Sequence, residues 1–184
     1  MPAQPADVTT FWQSAGPERW FKKDAAFDDA VRLEFEPTHH AAARGEHDAW
    51  MATPDGALAL LILLDQFPRN LYRGSGHAFA TDPKARHIAR AAMAAGHDRA
   101  TDPALRNFFY LPFAHSEDLA DQDEGVALCA AMEAETGLPD LIKWAQVHRD
   151  IIARFGRFPH RNAALGRDTT ADEQAFLDEG GFAG

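Results

Sequence analysis

Thr53-Pro54-Asp55-Gly56-Ala57-Leu58-Ala59-Leu60-Leu61-Ile62-Leu63-Leu64-Asp65-Gln66-Phe67-Pro68-Arg69-Asn70 is the stretch from which the rest of the chain is read. Threonine before proline starts a helix. Its hydroxyl accepts a free N–H of the first turn, and the proline has no N–H to lose and a φ already set for helix. From Ala57 to Leu64 every residue is aliphatic. A helix that is apolar on every side is buried on every side, so this one is expected at the centre of the domain. It is far shorter than the roughly 20 apolar residues that span a bilayer.

Working outward, the segments between Gly, Pro and Asp also read as helices. Phe27, Val31 and Phe35 recur every four residues, and Pro37 is expected to end that stripe. Two Thr-Asp-Pro triplets, at Thr81 and Thr101, open further helices. The first is Ala-rich and stops near Gly96; its Ala89 and Ala92 allow close helix approach. The second carries Phe108, Phe109 and Tyr110 and is expected to stop at Pro112. Ser116 is the expected cap of a long helix to Gly137. Pro139-Asp140 opens another, with Leu141, Ala145, His148, Ile152 and Phe155 on one stripe and Gly156 past its end. Thr170 and Glu173 have the spacing of a capping box. This makes about eight helices, no strand and only short loops: an all-α fold of antiparallel helix pairs in one domain, 1–184. No clean repeat period is present, so any repeat architecture is irregular.

Composition bounds the function. With 46% hydrophobic and 25% charged residues, the chain of 184 can build a core and is not disordered. The 28 acids against 18 Lys and Arg give a net charge of −10, which disfavours nucleic acid and anionic lipid as partners. One cysteine, Cys129, excludes a disulfide framework and a multi-cysteine zinc site. Met1-Pro2-Ala3-Gln4-Pro5-Ala6-Asp7 lacks the charged and apolar regions of a signal peptide, so a soluble cytoplasmic protein is expected.

Two segments echo each other. Phe67-Pro68-Arg69-Asn70 closes the central helix, and Phe158-Pro159-His160-Arg161-Asn162 follows the later one. A glycine comes four residues after each Asn, at Gly74 and Gly166, with Arg73 or Arg167 beside it. Together with Leu111-Pro112-Phe113-Ala114-His115-Ser116-Glu117, these strings closely resemble a bacterial family known as domain of unknown function 924, over nearly the whole chain. The resemblance implies an all-helical fold similar to tetratricopeptide-repeat proteins. It implies no agreed activity and no catalytic roles.

The motif residues admit two readings. Asp65 ends a buried helix at the negative end of its dipole, so it needs a cationic or hydrogen-bonding partner. Arg69 is four residues on with Pro68 between, which makes simple pairing doubtful; Arg157 or Arg161 are alternatives. It is either a structural ion pair or a positioned acid or base. Lys143, Arg149, Arg154, Arg157, Arg161 and Arg167 follow a stretch, Asn107 to Ile142, that has acids and no Lys or Arg. Arginines clustered in an acidic protein suggest a carboxylate or phosphate site, or else a loop stapled to helix ends. On the first reading Arg69, Asn70, Arg157, Arg161 and Asn162 hold a small anionic ligand in a polar pocket. Asp65, His115 and His160 then supply any proton chemistry. On the second the chain is an interaction module whose partner is a peptide, and the motifs are internal staples. His148 on its apolar stripe and Cys129 read as core, and His39, His40 and His47 as no more than adventitious metal ligands. No metal-binding string, phosphate loop, nucleophile elbow or dinucleotide fingerprint is present, so no metal or other cofactor is expected.

Overall fold

The structure is a computed structural model that describes residues 3–182; Met1 and Pro2 of the amino-terminal stretch lie outside the described residues. The described residues form an all-helical fold, 74% helix, with no strand among them. The chain groups into two units: the segment up to Arg73 with His77–Pro112, and Gly74–Gly76 with the segment from Phe113 onward.

The first unit is built around the apolar stretch. Thr53 Oγ1 accepts the Gly56 N–H at 3.1 Å, and the helix Pro54–Leu61 follows. Every residue from Gly56 to Pro68 is buried. The reason is enclosure: the helices Pro5–Ala15 and Asp82–Ala94 and the 3₁₀ turn Asp48–Ala52 pack on Pro54–Leu61, while Ala25–Ala43 packs on its continuation. Glycine is required at position 56, because a Cβ there would lie 2.1 Å from the Trp50 carbonyl oxygen. Trp12, fully buried, meets Trp20, Phe27, Phe67 and Phe108 at ring distances of 5.6 to 6.1 Å.

The second unit centres on the helices Leu119–Thr136 and Leu141–Phe155, joined by a short loop as a helical hairpin. Arg149 Nε donates to Asp123 Oδ1 across the pair at 2.8 Å. Gly137 and Gly156 both end their helices in the left-handed region. Ile151, Ile152 and Phe158 form the core, and the expected Thr170–Glu173 capping box opens the helix Ala171–Asp178.

Four local expectations are corrected. The helix Ala25–Ala43 runs through Pro37. The carbonyl that loses its partner belongs to Leu33, a residue 85% exposed, so solvent is at hand to satisfy it. Pro112 ends nothing; it lies in the first turn of a further short helix, Leu111–Ala114, where its missing N–H costs nothing. Ser116 is not the cap of the long helix. Asp118 is, accepting the Ala120 N–H at 2.8 Å, while Ser116 Oγ donates to Asp121 Oδ2 at 2.5 Å. The helices also exceed the expected eight or so: single turns such as Pro17–Trp20 and His97–Ala100 add to the count, and the helix opened at Thr101 divides into Pro103–Arg106 and the 3₁₀ turn Asn107–Phe109. No described helix is long and apolar enough to cross a membrane.

Candidate functional site

The central helix widens before it ends. Residues Ile62–Gln66 form a π turn in which the Phe67 N–H donates to the Ile62 carbonyl. The Leu63 carbonyl therefore loses the donor that α geometry would give it. Pro68 has no N–H for Leu64. A buried carbonyl left without a donor is costly, and side chains from elsewhere in the unit take up the deficit. His39 Nδ1–H donates to the Leu63 oxygen at 2.8 Å, and Thr81 Oγ1 donates to the Leu64 oxygen at 2.6 Å. Arg69 donates to the Asp65 oxygen. Burial pulls the His39 pKa below its ordinary 6.5, with the Leu63 bond acting the other way, so the ring is neutral with its proton on Nδ1.

Asp65 is fully buried. It pairs with Arg69, at 3.3 Å, and the Gln66 amide donates to its other oxygen. The wide turn and the continued helix Phe67–Leu71 keep Arg69 on the same side as Asp65, which is why the intervening proline does not prevent the pair. Arg69 also grips Asp82 with two bonds of 3.1 Å. Burial lowers the Arg69 pKa, but the two carboxylates more than offset that and the net shift is upward. Asn70 Nδ2 donates to Asp28 Oδ1 at 2.7 Å, and Arg73 closes on the same carboxylate at 2.5 and 2.9 Å. Gly74, at φ +76°, turns the chain away.

The second exit follows the same plan with different acids. Arg157 holds Glu173 with bonds of 2.6 and 2.8 Å and also donates to the Asp168 carbonyl at 2.8 Å. Asn162, fully buried, donates to Glu173 Oε2 at 3.3 Å and accepts from Arg167 Nε at 3.0 Å. Arg167 in turn grips Glu117 at 2.6 and 3.0 Å, and Glu117 accepts the Phe158 N–H at 2.8 Å. The Arg157 bond, opposed by burial and helped by Thr170, brings Glu173 down to about 2. Burial raises Glu117, but Arg167, the Phe158 N–H and Arg161 bring it below its ordinary value.

Around Phe158 lie the histidines. Arg161, 6% exposed, stands 4.4 Å from the Phe158 ring centroid. His160 contacts Phe158 at 5.5 Å and Phe182 at 5.3 Å. His148, half-buried rather than core, contacts the same two rings and stands 6.3 Å from His115. Among the described residues no group of three or more His, Cys, Asp or Glu could hold a metal ion. Cys129 is buried, and burial together with Glu133 pushes its thiol up to about 11, so it is not a nucleophile at neutral pH.

Asp65, Arg69 and Asn70 thus fall in the first unit, and His115, Arg157, His160, Arg161 and Asn162 in the second. Sequence reading did not find their acidic partners, Asp28, Asp82 and Glu117, because each lies 13 to 50 residues from the cation it meets. It also missed a surface group in the first unit. Tyr72 donates to Glu36 at 3.1 Å and lies 3.2 Å from His40 Nε2, and burial with the Glu36 bond raises its hydroxyl to about 12.

A family model described as bacterial protein of unknown function, DUF924, matches residues 8–181. The chain belongs to this family. The DUF924 chain is also similar to the solved structure of a protein of unknown function from Agrobacterium tumefaciens, with 48% sequence identity and a TM-score of 0.90 over 95% of this chain and 97% of that one. No curated protein matches it.

Proposed function

We propose that this DUF924 chain acts by binding rather than by catalysis. On this reading it is a single cytoplasmic helical module over 1–184, of irregular tetratricopeptide-like kind, that takes a small anionic molecule or a peptide. Its Phe-Pro and Arg-Asn motifs are staples that hold two helix exits in shape. The observation that carries this is the bidentate grip of Arg157 on Glu173 at 2.6 and 2.8 Å. That is the geometry in which an arginine holds a ligand's carboxylate or phosphate, and here the chain's own acid fills it. Arg69 with Asp82 and Arg167 with Glu117 repeat the pattern. An anion held instead by Arg69, Asn70, Arg157, Arg161 and Asn162 would have to displace carboxylates that are themselves buried or half-buried.

The groups available for proton chemistry fit the same reading. Asp65 is closed off by Arg69 and Gln66, and His115 and His160 sit among rings. The test is thermal melting with isothermal titration against a panel of organic acids and phosphates. Arg157→Ala is expected to lower the melting temperature by several degrees, at roughly 2–4 °C per kcal/mol for a chain of this size, and Arg161→Ala to leave affinities unchanged. A ligand lost in Arg161→Ala at full stability would return the motif cations to a binding role, with Asp65, His115 and His160 beside them.

A further inference from the structure

Val147, Ile151 and Phe155 are spaced four apart and share one face of the helix Leu141–Phe155. Together with Phe176 and Phe182 they line a groove of about 300 Å³ within the second unit. Val147, Phe155, Phe176 and Phe182 are only partly buried against the core of Ile151, Ile152 and Phe158, so apolar surface is left uncovered. The volume is at the lower end of ligand sites, which run from about 300 to 1,000 Å³.

Two charged residues border the groove, and they differ in one respect. Asp150 is occupied: its Oδ1 accepts from Gln146 at 2.7 Å and meets Arg149 at 3.6 Å. Arg154 stands 4.5 Å from the Phe155 ring centroid and 5.8 Å from that of Phe176, and no carboxylate of a described residue reaches it. Elsewhere in the chain Arg69, Arg73, Arg157 and Arg167 each have an acid. Phe155 and Phe176 are themselves 5.2 Å apart, so the guanidinium rests on a paired aromatic support. A guanidinium held over rings keeps its edge N–H groups free for a carboxylate.

We propose that this groove binds a small organic monocarboxylate with an apolar body, the carboxylate paired with Arg154 and the body lying on Phe155, Phe176 and Phe182. A single guanidinium matches one carboxylate through two parallel N–H···O bonds. A phosphate dianion would leave a second charge unmatched against phenyl rings. The site rests on the binding-module reading but uses none of the stapled motif residues.

The experiment is isothermal titration of the full chain with 4-phenylbutyrate and with its neutral amide. The acid is expected to bind, the amide at least tenfold more weakly. Arg154→Gln is expected to weaken the acid at least tenfold with an unchanged melting temperature, since the arginine is exposed. No binding of the acid, equal binding of acid and amide, or full affinity in Arg154→Gln would each overturn the site. So would a concentration-dependent dimer in sedimentation that Arg154→Gln abolishes, which would give the groove to a second copy of the chain. Arg157→Ala separates the two proposals. Acid binding that persists in it supports the groove, whereas acid binding lost in Arg157→Ala but kept in Arg154→Gln overturns both. An unchanged melting temperature in Arg157→Ala sinks the staples alone and leaves the groove supported.

Discussion

Thr81 Oγ1 donates at 2.6 Å to the Leu64 carbonyl, the oxygen for which Pro68 has no N–H to offer. A side chain 17 residues away thereby completes the hydrogen bonding of the most buried helix in the first unit. Thr81 serves no cap of its own helix, Asp82–Ala94; its hydroxyl is committed to the proline's deficit.

Thr81→Val keeps the shape and deletes the donor. The Leu64 carbonyl is then buried without a partner, at a cost of about 1–3 kcal/mol. Chemical denaturation is expected to show that loss, and Thr81→Ser, which keeps the hydroxyl, to recover most of it.

Arg69 neutralises two buried acids, Asp65 with a side chain 0% exposed and Asp82 with one 6% exposed. Arg69→Met takes this guanidinium away from both carboxylates. Removing one partner of a buried pair costs about 3–5 kcal/mol. The expected result is a large drop in denaturation midpoint, part of which returns in Arg69→Met combined with Asp82→Asn.

Glu173 is held at about 2 in the folded chain, against an ordinary 4.5. A depressed carboxylate pKa stabilises the fold above the unfolded value, and that contribution disappears as pH falls through the folded one. Glu173→Gln keeps the capping-box geometry and removes the charge. The stability difference between the native chain and Glu173→Gln is expected to be full at neutral pH and to shrink between pH 4.5 and about 2. A difference that stays constant over that range would show that the Arg157 pair contributes nothing.

His39 has the opposite chemistry and the same direction of pH dependence. Burial lowers its pKa from 6.5, so the unfolded chain takes up a proton first and stability falls as pH drops below 6.5. In an NMR titration the His39 ring resonance is expected to move only below that value. His39→Gln, whose amide can still donate to Leu63, is expected to lose this acid-linked component.

Much of this was legible in order along the chain. Thr53 as a cap, the glycines after Thr136 and Phe155, and the Thr170–Glu173 box are local devices, and each stands where its residues predict. The total burial of Ala57 to Leu64 follows from composition alone, because a helix with no polar face has nothing to show to water. Pro37 and Pro112 misled because a proline acts on a carbonyl four residues earlier, and whether that carbonyl finds water or lies in a first turn is a matter of surroundings.

What the sequence determined by itself is the helical class, the central element and its start, together with the positions where cations, amides and glycines gather after Phe-Pro. Tertiary structure decided the partners: Asp82 for Arg69, Asp28 for Asn70 and Arg73, Glu173 for Arg157, Glu117 for Arg167. It also decided the π turn and the side chains from His39 and Thr81 that complete it. Caps and helical stripes are interactions between residues up to four apart, which spacing encodes. A buried charge or carbonyl is satisfied by whichever donor or acceptor the packing brings within about 3 Å, and no spacing along the chain encodes that.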